Sequence, residues 1–281
     1  MAQHLVIEAG RTERQYWRDL WRYRELFYFL AWRDFLIRYK QTYVGVAWSL
    51  IRPVLTMLVL TIASKVGRLP AGGVPVPLFV FSAMLPWQFF STAMSESGSS
   101  LVNNAGLVSK IYFPRLVVPV SSVIVSLVDF FIAGIFLVVL MFYYGFVPPS
   151  QVVFLPLFIL LAFGAALGVG LWIAALMVEY RDFRFIVQFA VQFGLYASPV
   201  LLMTSKVPEI WRWHHHEIPA RLLYSLNPVV GIIDGFRWSL LGRENVIYWP
   251  GLAAAVFTVG VIIATGLWYF RRMERTFADK I

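Results

Sequence analysis

Few side chains in this chain are equipped for covalent chemistry, and those few do not converge. Cysteine is absent, which excludes disulfides, thiolate metal sites and thiol nucleophiles. No Gly-Lys pair occurs, so there is no P-loop to cradle a nucleotide phosphate. No Asp-x-Asp pair is present to hold a metal-bound sugar nucleotide. His214, His215 and His216 are consecutive. Adjacent side chains point in different directions, so a solvated loop accounts for them better than a metal site. No catalytic residue and no metal ligand set is expected. Asp129 is the one carboxylate deep in an apolar run. It suits either a proton relay, for which partners are few, or a hydrogen bond to a neighbouring helix.

Binding chemistry is better supplied. Phe185, Phe189 and Phe193 are four apart and Tyr196 follows three later, so on a helix they form one aromatic stripe. Gln188 and Gln192 lie beside it. Aromatic faces stack on the apolar faces of sugars while amides bond hydroxyls, and polar amides avoid lipid. The alternative is ordinary aromatic packing between helices.

The elements that must position these residues are membrane helices. The 281 residues are 59% hydrophobic and only 14% charged, whereas soluble domains carry about 25% charged residues. Apolar runs at 44–64, 74–94, 117–144, 152–178, 185–205 and 246–270 are each long enough to cross about 30 Å of hydrocarbon. The first is interrupted by Arg52-Pro53. The second holds Pro75, Pro77 and Pro86 and is expected to be bent or broken. In 206–245, two short apolar pieces at 218–226 and 229–241 flank Asn227-Pro228 and read as re-entrant helices. Gly164 and Gly168 have the spacing that lets helices approach closely, a spacing that also arises often by chance.

The expectation is an all-α integral membrane protein with six transmembrane helices. A cytoplasmic amphipathic segment occupies 1–43, where Arg14, Arg18 and Arg22 share a face against Trp17, Leu20, Trp21 and Phe27. The six-span domain occupies 44–270, and a cytoplasmic tail 271–281. The net charge of +9 does not point to nucleic acid, because the basic residues sit between apolar runs. Sixteen of the 24 fall on the side of the termini and seven on the other, which places both ends in the cytoplasm. The first apolar run lies behind many charges, so no cleavable signal is expected.

Several strings, in order, resemble the membrane subunits of ATP-binding-cassette exporters of lipid-linked polysaccharide, of the O-antigen and teichoic-acid type. They are Trp32-Arg33-Asp34 with Arg38-Tyr39-Lys40-Gln41-Thr42, Gly45 and Trp48; Lys110-Ile111-Tyr112-Phe113-Pro114-Arg115 with Pro119; Tyr180-Arg181-Asp182; Ser198-Pro199-Val200; Asn227-Pro228; and Gly235-Phe236-Arg237. The resemblance implies a homodimer with a channel at its interface, in the cytoplasmic (inner) membrane of a bacterium. It also implies two copies of a separate ATPase that bind ATP and Mg, this chain binding no cofactor itself. The cargo would be a polyprenyl-pyrophosphate-linked polysaccharide, O-antigen first. On that reading Arg33, Arg38, Lys40 and Arg52 form the headgroup site, since arginine forks suit phosphate oxygens. Asp34, one turn before Arg38, is expected to pair with it. Phe189, Phe193, Tyr196, Gln188 and Gln192 line the glycan channel. Lys110, Phe113, Pro114 and Arg115 couple to the ATPase. A drug or lipid exporter of similar architecture, or a proton-coupled carrier, is the alternative.

Overall fold

The computed structural model describes residues 13–40, 47–68, 71, 73–111, 113–201, 203–213, 216–242 and 247–277. Gln41, Thr42, Gly45, Tyr112, His214 and His215 therefore lie outside the described residues, as do Arg11 and Lys280.

The chain is helical. α1 (Glu13–Arg22) and α2 (Arg24–Lys40) precede α3 (Ala47–Val66), α4 (Val76–Asn103) and a short α5 (Ala105–Lys110). α6 (Val117–Tyr143), α7 (Leu155–Glu179) and α8 (Phe183–Tyr196) follow. After them come α9 (Ala220–Tyr224), α10 (Pro228–Leu241) and α11 (Trp249–Met273). One small antiparallel strand pair, β1 (Trp211–Trp213) with β2 (His216–Ile218), was not anticipated from the sequence.

Among the described residues four helices are long and apolar enough to cross a membrane: Val76–Asn103, Val117–Tyr143, Ser150–Glu179 and Trp249–Met273. The remaining expected spans correspond to α3 and α8. α8 has 14 residues, about 21 Å at 1.5 Å per residue, and the chain turns at 197–200 instead of continuing as one long helix to 205.

Two expectations about prolines change. α4 runs unbroken through Pro86, and α3 through Pro53. Pro75 and Pro77 stand at the start of α4, where a missing N–H is harmless. Pro86 is buried within the core. There neighbouring helices hold the geometry that an isolated proline helix would lose.

α4 is the axis of the bundle. In its apolar window 78% of residues are buried, against 22% for α11, so the other helices sheath α4 and turn their outer faces to lipid. Lipid tails give helices no hydrophobic reason to associate, so contact depends on small residues that let backbones close in. A Cβ at Gly168 would lie 2.9 Å from the Ile263 backbone nitrogen, and one at Gly266 would lie 2.5 Å from the Gly168 carbonyl. The Gly164–Gly168 spacing is thus the seam between α7 and α11. Gly170 does the same toward α4, where a Cβ would meet Ser97 Oγ at 2.5 Å.

At the end of the bundle away from α1, α10 seats the turn that ends α8. Asn227 caps α10 by accepting from the Val229 amide at 3.1 Å, with Pro228 at the first helical position. Arg237, 2% exposed, donates from Nη1 to the Pro199 carbonyl and from Nη2 to the Val200 carbonyl, both at 2.6 Å. Its guanidinium lies 3.7 Å from the Phe79 ring centre. Thr204 donates to Asp234, one turn before Arg237, at 2.8 Å. The Ser-Pro-Val and Gly-Phe-Arg strings, far apart in sequence, meet at this joint, and Asn-Pro starts the helix that carries the second of them.

Gly168→Leu is expected to lower thermal stability of the solubilised protein, with overpacking costing about 1–3 kcal/mol. Gly134→Ala, where nothing lies within 4 Å, should be neutral or stabilising. Equal melting temperatures for the two variants would refute the close-packed seam.

Candidate functional site: a charged cavity beneath the bundle

The ends of α2 and α3 meet α4 and α6 around a cavity of about 320 Å³. Arg38 and Tyr39 come from α2, Arg52 and Pro53 from α3, Gln88, Thr92 and Glu96 from α4, and Ser126 and Asp129 from α6. α6 offers Ser126 and Asp129 to one side because residues three apart share a helix face. A second cavity, about 540 Å³, lies toward the end of α4 and is walled by Arg33, Asp34, Ile37, Asn103 and Asn104 among others. Arg38 and Glu96 belong to both.

Arg38 is the junction. Its Nη1 reaches Asp129 Oδ2 at 2.5 Å and its Nη2 reaches Glu96 Oε1 at 2.8 Å. The Tyr39 hydroxyl donates to the other oxygen of Asp129. The expected pairing of Asp34 with Arg38 is replaced. Asp34 accepts from Arg33 Nε at 2.9 Å and Nη2 at 2.7 Å, and Arg33 Nη2 also donates to Asn104 at 2.6 Å. Two deeper acids outbid the helical neighbour because α2 lies against α6 and presents Arg38 to them.

Of the four basic residues read as a headgroup site, Arg38 and Arg52 share the first cavity and Arg33 walls the second. Lys40 is exposed at the end of α2 and lines neither. Arg52 makes no ion pair among the described residues. Tyr39 entered the sequence reading only within a matched string, and Glu96 and Asn104 were given no part in the headgroup site. The available signal was Asp129: an acid inside a span implies a cation from a neighbouring element.

The stripe on α8 points outward. Phe185, Phe189, Phe193 and Tyr196 are 69%, 62%, 53% and 74% exposed, and Gln188 and Gln192 are exposed with them. Within one protomer these residues are surface, not packing. Phe189 and Phe193 contact each other with ring centres 4.1 Å apart.

The stretch 95–116, between the second and third apolar runs, is largely helix: the end of α4, then α5, then a short turn. Phe113 is 6% exposed and Pro114 is buried. Phe113 packs with Leu30, Val178, Phe270 and Phe277 in a core that joins α2, α7 and α11. The Arg115 amide donates to Glu274 Oε1 at 2.9 Å, and its Nη1 donates to the Glu274 carbonyl. Tyr16 of α1 donates to the same carboxylate at 3.4 Å, with the Arg271 guanidinium 4.1 Å from the Tyr16 ring centre. Burial pushes the Glu274 carboxyl above its ordinary value, while the Arg115 amide and the Tyr16 hydroxyl pull the other way. Of the Lys110–Arg115 group, only Lys110 and Ile111 are fully exposed among the described residues.

The burial divides the expected effects of substitution. Phe113→Ala should cost about 3–5 kcal/mol and reduce the amount of folded protein in the membrane. Lys110→Glu should leave that amount unchanged. Wild-type abundance and melting temperature for Phe113→Ala would show that the inner core does not depend on it.

Residues 25–241 match the family model described as ABC-2 type transporter. The O-antigen export system permease protein RfbA of Myxococcus xanthus is 29% identical over 265 residues, covering 94% of this chain and 98% of that protein. A protein of the same name from Klebsiella pneumoniae is 26% identical over 249 residues, covering 88% of this chain and 91% of that one. The matched region contains every residue that walls the charged cavity, together with the α4 axis and the α8–α10 joint, and the chain therefore belongs to the ABC-2 type transporter family.

Proposed function

We propose that this chain is the membrane-spanning subunit of an ATP-driven exporter that moves polyprenyl-pyrophosphate-linked polysaccharide, O-antigen first, outward across the bacterial cytoplasmic membrane. The observation that carries the reading is similarity over nearly the full length to permeases named for O-antigen export. The absence of a P-loop fits a division of labour in which a separate ATPase, in two copies, binds ATP and Mg. Asp129 is engaged by Arg38 and Tyr39, and its use in an ion pair between helices favours an exporter over a proton-coupled carrier.

On this reading two copies meet along their exposed apolar helices. α3 turns Leu55, Leu58, Val59 and Ile62 outward, and α8 turns out its aromatic stripe. Flat aromatic surfaces suit a polymer that must slide, because they hold each unit moderately and without fixed direction. The comparable stacking of bases is worth about 1–3 kcal/mol each. The diphosphate headgroup enters at Arg38 and Arg52. The ATPase docks beneath α5, at Lys110 and Ile111, and the clasp of Arg115 on Glu274 carries its movement to α1 and α11.

Co-purification with the candidate ATPase and reconstitution into vesicles should give ATP hydrolysis stimulated by lipid-linked polysaccharide, with transport of that polymer. Phe193→Ala and Tyr196→Ala should leave folded protein unchanged while slowing transport of long chains. Stimulation by a drug or a simple lipid, with none by the glycan, would overturn the substrate. Stable stripe variants with wild-type transport of full-length polymer would remove the glycan track.

Topology follows from the basic residues. A single cysteine at Asn103 should react with an impermeant reagent only from the cytoplasmic side, and one at Glu209 only from outside. Labelling of the Asn103 position in intact cells would reverse the orientation.

A further inference from the structure

We infer that Arg38 is a latch: its pairing with Asp129 and Glu96 holds α2 against the bundle, and a diphosphate headgroup in the cavity releases α2 by taking Arg38 over. The inference rests on the headgroup reading above and adds a regulatory role for that same site.

Three observations carry it. First, α2 is weakly held by apolar contact. Leu30 is its one buried residue, while Tyr28, Phe29, Trp32 and Ile37 are 71%, 65%, 48% and 60% exposed. Toward its C-terminal end the ties to the bundle among the described residues are polar: Arg33 to Asn104, Arg38 to Glu96 and Asp129, and Tyr39 to Asp129. Second, the latch is reachable. Arg38 walls both cavities, so an anion in either one competes for the guanidinium that the carboxylates hold. Arg52 faces the first cavity without a carboxylate partner among the described residues and supplies a first foothold. Third, the latch can open without stranding charge. The Arg38, Glu96 and Asp129 side chains are 29%, 43% and 22% exposed. Ion pairs that water reaches are weak, so Asp129 and Glu96 can exchange the Arg38 guanidinium for water when it leaves.

The choice of ligand follows from valence. A polyprenyl diphosphate carries two phosphate groups and can engage Arg52 and Arg38 together with bidentate geometry. A single-phosphate lipid held at Arg52 is itself close to doubly charged but has no second phosphate group with which to take Arg38 from two carboxylates. By linkage, a ligand that prefers the released state shifts the population of α2 by its difference in affinity for the two states. α2 leads toward α3, whose outward face lies in the proposed dimer contact, so release of α2 is suited to report a loaded headgroup to the channel.

The test uses the full chain in lipid nanodiscs, with hydrogen exchange read at the amides of residues 33–40 and ligand binding read separately by thermal shift. Undecaprenyl diphosphate should raise exchange there about tenfold, and undecaprenyl monophosphate much less. Asp129→Asn should show the raised exchange with no ligand and little further response, while Asp129→Glu restores the wild-type pattern. Glu96→Gln, which removes the more exposed partner, should give an intermediate rise and serves if Asp129→Asn does not fold. Binding of undecaprenyl diphosphate with unchanged exchange at 33–40 would overturn the latch and leave the headgroup reading standing. No binding by the wild-type chain would overturn the headgroup reading and the latch with it. Unchanged exchange in both folded carboxylate variants would also refute the latch.

Discussion

The close contact of α7 with α4 and α11 is the constraint on which the remaining architecture depends. Helices surrounded by lipid gain nothing from hiding apolar side chains from one another, so they associate where backbones fit tightly or polar groups pair. Gly168 against Gly266 and Gly170 against Ser97 meet that condition, and they place α7 between α4 and α11. Once α4 is enclosed, several of its serines bond carbonyls of their own helix, as Ser91 does to Gln88 and Ser95 to Ser91. Those serines need no water in the core, whereas Ser97 Oγ, buried against Gly170, has no partner among the described residues. α6 and α10 then close the remaining sides of α4.

Polar pairing does the second part of the assembly, at the two ends. At one end Arg237 binds the carbonyls freed where α8 stops, a use of arginine that a lysine cannot copy because it lacks the fork. At the other, Glu274 gathers the Arg115 amide and Tyr16, and so ties together the segment before α6, the first helix and the end of the last helix. The charged cavity opens beside α4, which lines it with Gln88, Thr92 and Glu96.

The cavity is nearly balanced in charge. Arg38 and Arg52 face Glu96 and Asp129 across it, and Arg33 is matched by Asp34. A site with unmatched arginines at the edge of a membrane would attract any anionic lipid headgroup. Here the cations are present but mostly engaged, and access to them depends on exchange of partners.

What the sequence by itself determined was whatever depends on transfer from water to lipid. Low charge, long apolar runs and the placement of arginines specify a helical membrane protein, the approximate limits of α6, α7 and α11, and the short helices α9 and α10. Cap and turn residues such as Asn227-Pro228 mark where they begin. The order of short strings was legible too, and pointed to the exporter resemblance. Tertiary structure alone decided which residues meet. Asp34 sits one turn from Arg38 and matches it in charge, yet Arg38 turns to Asp129, 91 positions away, because α2 packs on α6. Phe113 was expected at the contact with the ATPase and is buried, because residues of α2, α7 and α11 enclose it. Pro86 was expected to bend or break its helix, and the helix continues through it, because neighbours enclose it. Glu274 read as tail and is a clasp, paired with a residue 159 positions earlier. Local pattern reports the preference of a segment for lipid or water, which is a property of single residues and their periodicity. Pairing across helices is set by close packing, which no single segment contains.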